Sequence, residues 1–500
     1  MRINPKTPSK VRTPFAIIRP GYRCVSAISS DLGEMGATGP NRSKALLDSL
    51  SGHTCYVVGG LPSLRHSTGA RVWEANVWRG KITSLSLDGS GTKVSSLRGV
   101  VDDTPEGFRA LSIGLSWLSD LGICSGSLSS MAWNLWRSTL SKPLSIAFAP
   151  KVGRAALYGG RQEIRSPRTY QHMKSIDITA AYPYAMITRP YASTLREVSA
   201  DTAIDGESSG MAQASVLIPD DLRFAPLPVR IGPDLIQWQR GRIEGVWSWT
   251  ELDAAAKVGA DVKVLRSWAP VREVEPFGEW WKLVLEGRAL PDGAAAIVKA
   301  ISSTLWGLFG MVGDDRGRLR WSDDAGESAV FVPNTRSKAL PHAQTAHFAA
   351  ETASRVRRRM LLEGLAGPFA PIHVDTDGII VRKSSPMPAD SGDGPGQWRQ
   401  KASMVSIDVK APQVYRYLCS RGCDKPHGLA DRYHYVTAGI PSAKAAAMFD
   451  RMPETKIAIY GRDMVIPTGY AGEDMEIDKM RIEASAVQSY VFGRPMAAAR

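Results

Sequence analysis

Apolar and polar residues alternate from Arg71 to Trp78 (R-V-W-E-A-N-V-W) and again from Lys81 to Leu87 (K-I-T-S-L-S-L). A period of two puts successive side chains on opposite faces, so the pattern predicts two strands that turn at Arg79-Gly80. Helical spacing follows over 105–121 and 129–140. Between 141 and 300 short strands mix with helices, with a strand predicted over 212–218. A helix is predicted over 250–258, with Leu252, Ala255 and Ala256 apolar and Thr250 as its N-cap. Further helices are predicted over 278–286, rich in Trp and Leu, over 294–308, and over 343–362. The last carries Arg355, Arg357, Arg358 and Arg359. Two readings of those arginines stay open, complements to a helix dipole or ligands for phosphate. A loop rich in Ser, Pro, Asp and Gly over 383–396 separates two structured parts.

The chain has 500 residues, 43% of them hydrophobic and 22% charged. That balance excludes a disordered or collagen-like chain, and the length suits about three or four packing units. No apolar run approaches the ~18 residues of a bilayer-spanning helix. The start, Met1-Arg2-Ile3-Asn4-Pro5, lacks the apolar stretch of a secretory signal. Five cysteines do not make a disulfide framework in so long a chain. The expectation is a reducing compartment, the cytoplasm, and no membrane partner. Lys and Arg number 62 against 49 Asp and Glu, a net charge of +13, which favours a polyanionic partner. Residues 1–30 hold six Lys or Arg and no acid, which predicts a basic N-terminal arm.

The richest local chemistry lies in Ile372-His373-Val374-Asp375-Thr376-Asp377-Gly378-Ile379-Ile380-Val381. Apolar flanks around a D-x-D-G step predict a β-hairpin with two carboxylates at its turn. Two hard oxygen ligands two residues apart can share a divalent cation such as Mg2+. Most D-x-D turns are merely polar hairpins, so the surrounding pattern decides. The stretch 175–186 (S-I-D-I-T-A-A-Y-P-Y-A-M) puts Asp177 at the end of a strand, with Tyr182-Pro183 five residues on. The stretch 299–310 (K-A-I-S-S-T-L-W-G-L-F-G) places Lys299, Ser303 and Trp306 at i, i+4 and i+7 on one helical face.

In this order the three elements resemble motifs A, B and C of the family B DNA polymerases, usually D-x-x-S-L-Y-P, K-x-x-x-N-S-x-Y-G and Y-x-D-T-D-S. The chain reads D-I-T-A-A-Y-P, K-A-I-S-S-T-L-W-G and H-V-D-T-D-G. Leu157-Tyr158-Gly159-Gly160-Arg161 is similar to the Y-x-G-G motif of the protein-primed phage branch, and Gln413-Val414-Tyr415 stands where its K-x-Y motif follows motif C. The resemblance spans about 140–440. It departs at Leu157, Ser303, Thr304, Trp306, His373, Gly378 and Gln413, where the family has Tyr, Asn, Ser, Tyr, Tyr, Ser and Lys.

The resemblance implies an α+β right-hand polymerase. A basic arm and degenerate ribonuclease-H-like, exonuclease-like domain would occupy 1–140, palm 141–270 and 313–440, fingers 271–312 and thumb 441–500. It implies a monomer that extends a primer 3′-hydroxyl on template DNA with dNTPs, in phage or mobile-element replication, with a terminal priming protein as a further partner. By the same resemblance Asp177, Asp377 and the Ile178 carbonyl hold two Mg2+ ions, or Mn2+, with Asp375 a secondary carboxylate. Lys299 contacts the incoming triphosphate, Arg288 is a second phosphate candidate, and Ser303 and Trp306 lie beside the nucleotide. Tyr182 stacks under the sugar and leaves no room for a 2′-hydroxyl. Tyr158, Gly159 and Gly160 sit against the template, Tyr415 contacts the primer, and Lys410 stands in for the lysine absent at Gln413.

No D-x-E occurs within 1–140, so no proofreading hydrolysis is expected there. The altered motif B and the lost K-x-Y lysine keep open a primase-like or template-independent nucleotidyltransferase. Retention of Asp177, Asp375, Asp377 and Lys299 argues against an inactive DNA-binding protein. Cys419, Cys423 and His427 supply three zinc ligands without a fourth and are not expected to bind metal. His373 is expected to pack in its hairpin, and Trp247, Trp249, Trp268, Trp280 and Trp281 mostly to pack in the core.

Overall fold

Val72–Trp78 and Lys81–Leu87 run antiparallel, as their alternation predicts, inside a nine-stranded sheet. The computed structural model describes residues 104–124, 127–146, 150–232, 235–291, 293–310, 345–419 and 433–437. It also describes residues 50 and 100 and the short segments 2–6, 15–20, 24–29, 33–38, 54–57, 72–78, 81–87, 93–96, 316–321, 329–333, 449–451, 462–463, 481–482, 490–491 and 494–495. Two units result: Met1–Ser145 with Pro276–Gln344 and Arg462–Ile482, and Ile146–Glu275 with Thr345–Gly461 and Glu483–Arg500.

In the first unit Phe15–Pro20 pairs antiparallel with Cys24–Ser29, which pairs antiparallel with Gly33–Thr38. On its other side Phe15–Pro20 pairs parallel with Thr54–Val57, and that strand pairs parallel with Lys93–Ser96. An antiparallel trio joined to parallel strands fits the ribonuclease-H-like expectation. Within the stretch 1–30 expected as a basic arm, Phe15–Pro20 and Cys24–Ser29 are strands, with Phe15 and Ala16 buried. Arg316–Trp321 pairs with Val72–Trp78, so this stretch joins the N-terminal sheet and not the strands of motif C.

Helix Pro105–Asp120 opens as its sequence dictates: the Thr104 hydroxyl accepts the Gly107 N–H at 3.1 Å, and Pro105 occupies the first turn. Helices Leu128–Ser138, Gly278–Arg288 and Ala295–Phe309 share an aromatic core in which Trp136 meets Phe277 at 5.7 Å and Phe309 at 5.1 Å. Trp280 and Trp281 are buried there, as expected.

The second unit centres on the strand Arg168–Ile178. Gly378–Arg382 flanks it on one side, followed by His373–Thr376 and Arg161–Ile164; Trp398–Ala411, Val414–Cys419 and Tyr433–Thr437 follow on the other, all antiparallel. Ile164, Met173, Ile380, Met404 and Ile407 bury one apolar cluster of this sheet. A second sheet, in the order Tyr191–Val198, Asp261–Val274, Met211–Ile218, Gly241–Ser248, encloses Trp247. Trp247 and Trp249 donate their indole N–H groups to the Pro228 carbonyl and the Ser267 hydroxyl, which confirms them as core residues. Helix Trp249–Lys257 is capped by Ser248 and not by Thr250; the Thr250 hydroxyl donates instead to Glu351 at 2.9 Å. Helix Ala346–Arg359 packs on it and on Ala181–Ile187, and continues as the π-helical turn Met360–Leu365. Most of 441–500, the expected thumb, lies outside the described residues. No described helix is long and apolar enough to cross a membrane.

Candidate active site

Asp177 is the penultimate residue of Arg168–Ile178 and stands opposite Gly378 in the neighbouring strand. The hairpin turn beside it is tight. The Asp377 N–H donates to the Asp375 carbonyl at 2.7 Å, and Thr376 takes a left-handed φ of 61°. The Ile178 N–H donates to the Asp377 carbonyl at 2.9 Å and ties the two motifs together. A Cβ at 378 would lie 3.2 Å from the Asp177 Cβ and the Ile176 carbonyl, so the glycine that replaces the family's serine eases this approach.

Burial raises the Asp377 pKa to about 6, and the charge of Asp177 adds to the rise. The Asp177 Oδ1 atom is buried without a hydrogen-bond partner. A donorless carboxylate oxygen beside a second carboxylate is the pattern a divalent cation relieves. Among the described residues no three acidic, His or Cys side chains form a ready-made metal cage. Two carboxylates and the Ile178 carbonyl still fit Mg2+, which draws its remaining ligands from water and substrate phosphates.

Two residues outside motifs A and C hold these carboxylates. Lys401, from the strand Trp398–Ala411, places its ammonium 2.9 Å from Asp177 Oδ2. Asp177 is in register with Arg399, and Lys401 falls at the register shift beside Ser175 and Ile176, a placement invisible without the pairing. Gln413 occupies the K-x-Y lysine position at φ 56° and donates from Nε2 to Asp375 Oδ1 at 2.7 Å. Its backbone N–H donates to His373 Nε2 at 3.2 Å, and the Thr376 hydroxyl donates to the same Asp375 oxygen at 3.1 Å. The Lys410 ammonium lies 5.9 Å from the Phe449 ring. Tyr415 packs edge-on against His373 at 5.1 Å. His373 is buried, which lowers its pKa, and it packs in the hairpin as expected.

Tyr182 lies in the first turn of Ala181–Ile187, after Ala180 bends the chain at φ 52°. Burial raises its pKa most, against the Arg357 charge, while Asp377 and Asp375 add to the rise. The ring therefore stands within electrostatic reach of the carboxylates.

Arg357 corrects the reading of the arginine-rich helix. It is buried and forks onto Glu251 at 2.6 and 2.9 Å, and it donates to the Tyr158 and Gly159 carbonyls at 2.7 and 2.9 Å. Arg355 is buried as well, bound to Glu351 and to the carbonyls of Ala185, Arg189 and Pro190. These two charges brace the Tyr158–Gly160 loop and the motif A helix from within and are withdrawn from any phosphate. Arg161 is likewise internal, paired with Glu163. At Gly160 an added Cβ would meet Thr376 Cγ2 at 2.6 Å, so this glycine lets the loop touch the D-T-D turn; at Gly159 nothing lies within 4 Å.

Lys299 and Ser303 are exposed and Trp306 half-buried on Ala295–Phe309, opposite the buried Ile297, Val298, Ile301, Leu305 and Leu308. Arg288 is half-buried in the last turn of Gly278–Arg288. These four belong to the first unit, while Asp177, Asp375, Asp377, Tyr182, Tyr158, Gly159, Gly160, Lys410 and Tyr415 belong to the second. Cys419 lies 3.4 Å from His434 Nε2, and Cys423 and His427 fall outside the described residues.

Residues 125–329 match the family of DNA polymerases of type B, organellar and viral. No curated protein matches the chain. In fold the chain is similar to phi29 DNA polymerase, with a TM-score of 0.60 at 11% identity over 88% of this chain and 95% of that one. The structure of that polymerase with primer–template DNA and incoming nucleotide gives 0.61 at 10% identity, over 89% and 95%. The type B polymerase family model thus covers the middle of the chain, residues 125–329. Over most of its length the fold of the chain is that of phi29 DNA polymerase.

Proposed function

We propose that the chain extends a primer 3′-hydroxyl by two-metal nucleotidyl transfer, with Mg2+ or Mn2+, and does so without proofreading. The carrying observation is the pairing of Asp177, one oxygen of which has no donor, with Asp377, whose charged form is disfavoured by burial and by Asp177. Asp177, Asp377 and the Ile178 carbonyl would hold the ions, which when bound make the hydroxyl more nucleophilic and neutralise the leaving pyrophosphate. Gln413 and Thr376 occupy an Asp375 oxygen, which supports a secondary role for that carboxylate. Lys299 supplies positive charge to the triphosphate, with Arg288, Ser303 and Trp306 beside it. Tyr182 excludes a 2′-hydroxyl. The Tyr158–Gly160 loop receives the template and the Lys410–Tyr415 segment the primer.

The absence of proofreading rests on the first unit. Its central strands Phe15–Pro20, Thr54–Val57 and Lys93–Ser96 carry no Asp or Glu, so they offer no carboxylate to a nuclease metal. Phage or mobile-element replication, with a priming protein as partner, is the setting this branch implies.

Primer extension by Asp177→Asn and Asp377→Asn tests the reading. Each should abolish extension and leave primer–template affinity nearly unchanged or slightly higher, because a negative charge facing a polyanion has been removed. Substantial extension by either variant overturns the assignment. Incorporation by the wild type without template would favour the transferase alternative. Degradation of single-stranded DNA from its 3′ end, lost on mutating an acid within 1–140, would restore a nuclease.

A further inference from the structure

A second concentration of charge lies on the sheet that carries Asp177, toward the other ends of its strands. Arg165, Arg168, His172, Arg382 and Lys383 are exposed around a cavity of about 720 Å³. Among the described residues no Asp or Glu lines it. The backbone builds its rim: His172 adopts φ 53°, the Lys383 N–H donates to the His172 carbonyl at 2.8 Å, and the Arg165 N–H donates to the Ile372 carbonyl at 2.8 Å. The Arg168 guanidinium is stacked 4.6 Å over the Tyr170 ring, which holds it at the rim. Asp408, in register with the adjacent Thr169, is engaged by Arg416 at 3.3 Å.

Four guanidinium and ammonium groups without an internal anion repel one another, and a ligand bearing several spaced negative charges relieves them together. Met173 pairs with Arg382 four residues from the Asp177–Gly378 pair. At about 3.3 Å per residue the rim therefore begins roughly 13 Å from the carboxylates and extends to roughly 30 Å at Arg168, several nucleotides of strand away. We propose that this cavity is a second phosphate-binding site, which grips a DNA phosphodiester backbone at a distance from the reacting ends. The proposal rests on the polymerase reading only in naming DNA as the polyanion.

The test is the salt dependence of DNA binding by the full chain, wild type against Arg165→Gln/Arg382→Gln. Arg196→Gln/Lys263→Gln, exposed cations on the other sheet, is the control. Probes are primer–templates with about 6 and about 20 base pairs and a single strand of about 20 nucleotides, and losing two phosphate contacts should flatten the log–log slope by about 1.8 for duplex or 1.4 for single strand. At 0.1 M salt that corresponds to binding weaker by up to about 60-fold. A loss seen only with the longer duplex places product DNA in the cavity, and a loss seen only with the single strand places template there. Single-nucleotide incorporation at saturating DNA should not change. An unchanged slope, or an equal change in the control, overturns the proposal while leaving the polymerase reading intact. A wild type that extends no primer overturns that reading, with the salt slopes still deciding the cavity.

Discussion

Gly160→Ala should cripple catalysis by displacing the D-T-D turn. The new Cβ would stand 2.6 Å from Thr376 Cγ2, 2.9 Å from its Oγ1 and 3.0 Å from its Cα. Ordinary contact begins at 3.4 Å, so by 3.4 − 2.6 one side must yield by 0.8 Å. Side-chain rotation does not suffice, because the Thr376 backbone is itself in contact, and Thr376 is the residue between Asp375 and Asp377. Displacing a catalytic group by nearly 1 Å costs on the order of 10²-fold in rate, or about 3 kcal/mol of transition-state stabilisation. Single-turnover incorporation of a matched nucleotide at saturating DNA is the assay, with DNA affinity measured separately. The rate constant should fall about 100-fold while DNA affinity stays within about threefold. Gly159→Ala, with nothing near its Cβ, should leave the rate constant within about threefold of wild type. Thr376→Ala removes the two nearest atoms, and in that background Gly160→Ala should cost only about tenfold. A near-normal rate in Gly160→Ala, or an undiminished penalty in the Thr376→Ala background, refutes the steric link.

Lys401→Met removes the ammonium at Asp177 and should tighten Mn2+ binding to the metal-free protein about three- to tenfold, as read by electron paramagnetic resonance of free Mn2+; equal or weaker binding rejects the competition. Tyr182→Val should raise ribonucleotide use relative to deoxyribonucleotide use by about 10²–10⁴-fold, whereas a parallel fall in both would make the ring a packing residue only. His347 is buried with Nε2 2.8 Å from the Ala192 carbonyl, and burial lowers its pKa from 6.5 to about 4. The unfolded chain therefore takes up a proton first on acidification, so this contribution to stability is complete above pH 6.5 and is lost as pH falls toward 4. Urea unfolding should show the wild type losing about 2 kcal/mol more than His347→Gln between pH 7 and pH 5, and equal losses would sink the assignment.

The elements nearest the chemistry were legible because each carries a local signature. The D-T-D step between apolar flanks fixed the hairpin, and the spacing of Lys299, Ser303 and Trp306 against Ile297, Ile301 and Leu305 fixed the exposed face of their helix. Lys401 and Gln413 were not legible as carboxylate partners, because their roles arise from strand register between segments far apart in sequence. The two readings of the arginine-rich helix could not be separated from sequence for a related reason. Charge counted along a sequence does not tell a solvated guanidinium from one buried against Glu251 and two carbonyls. Net charge could not show that the N-terminal segment is strand, since hydrogen bonding and burial of Phe15 and Ala16 decide it.

The Arg357–Glu251 fork also constrains how this chain can change over generations. Losing either partner alone strands a buried charge, at about 3–5 kcal/mol, a large share of an ordinary domain's margin of 5–15 kcal/mol. Replacing both with apolar residues would relieve the charge but leave the Tyr158 and Gly159 carbonyls without their donor. Neither a single step nor the simplest double step preserves both the fold and the loop. Descendants of this chain should therefore keep arginine and glutamate together at these positions even where the exposed Lys299 helix face and the basic cavity drift.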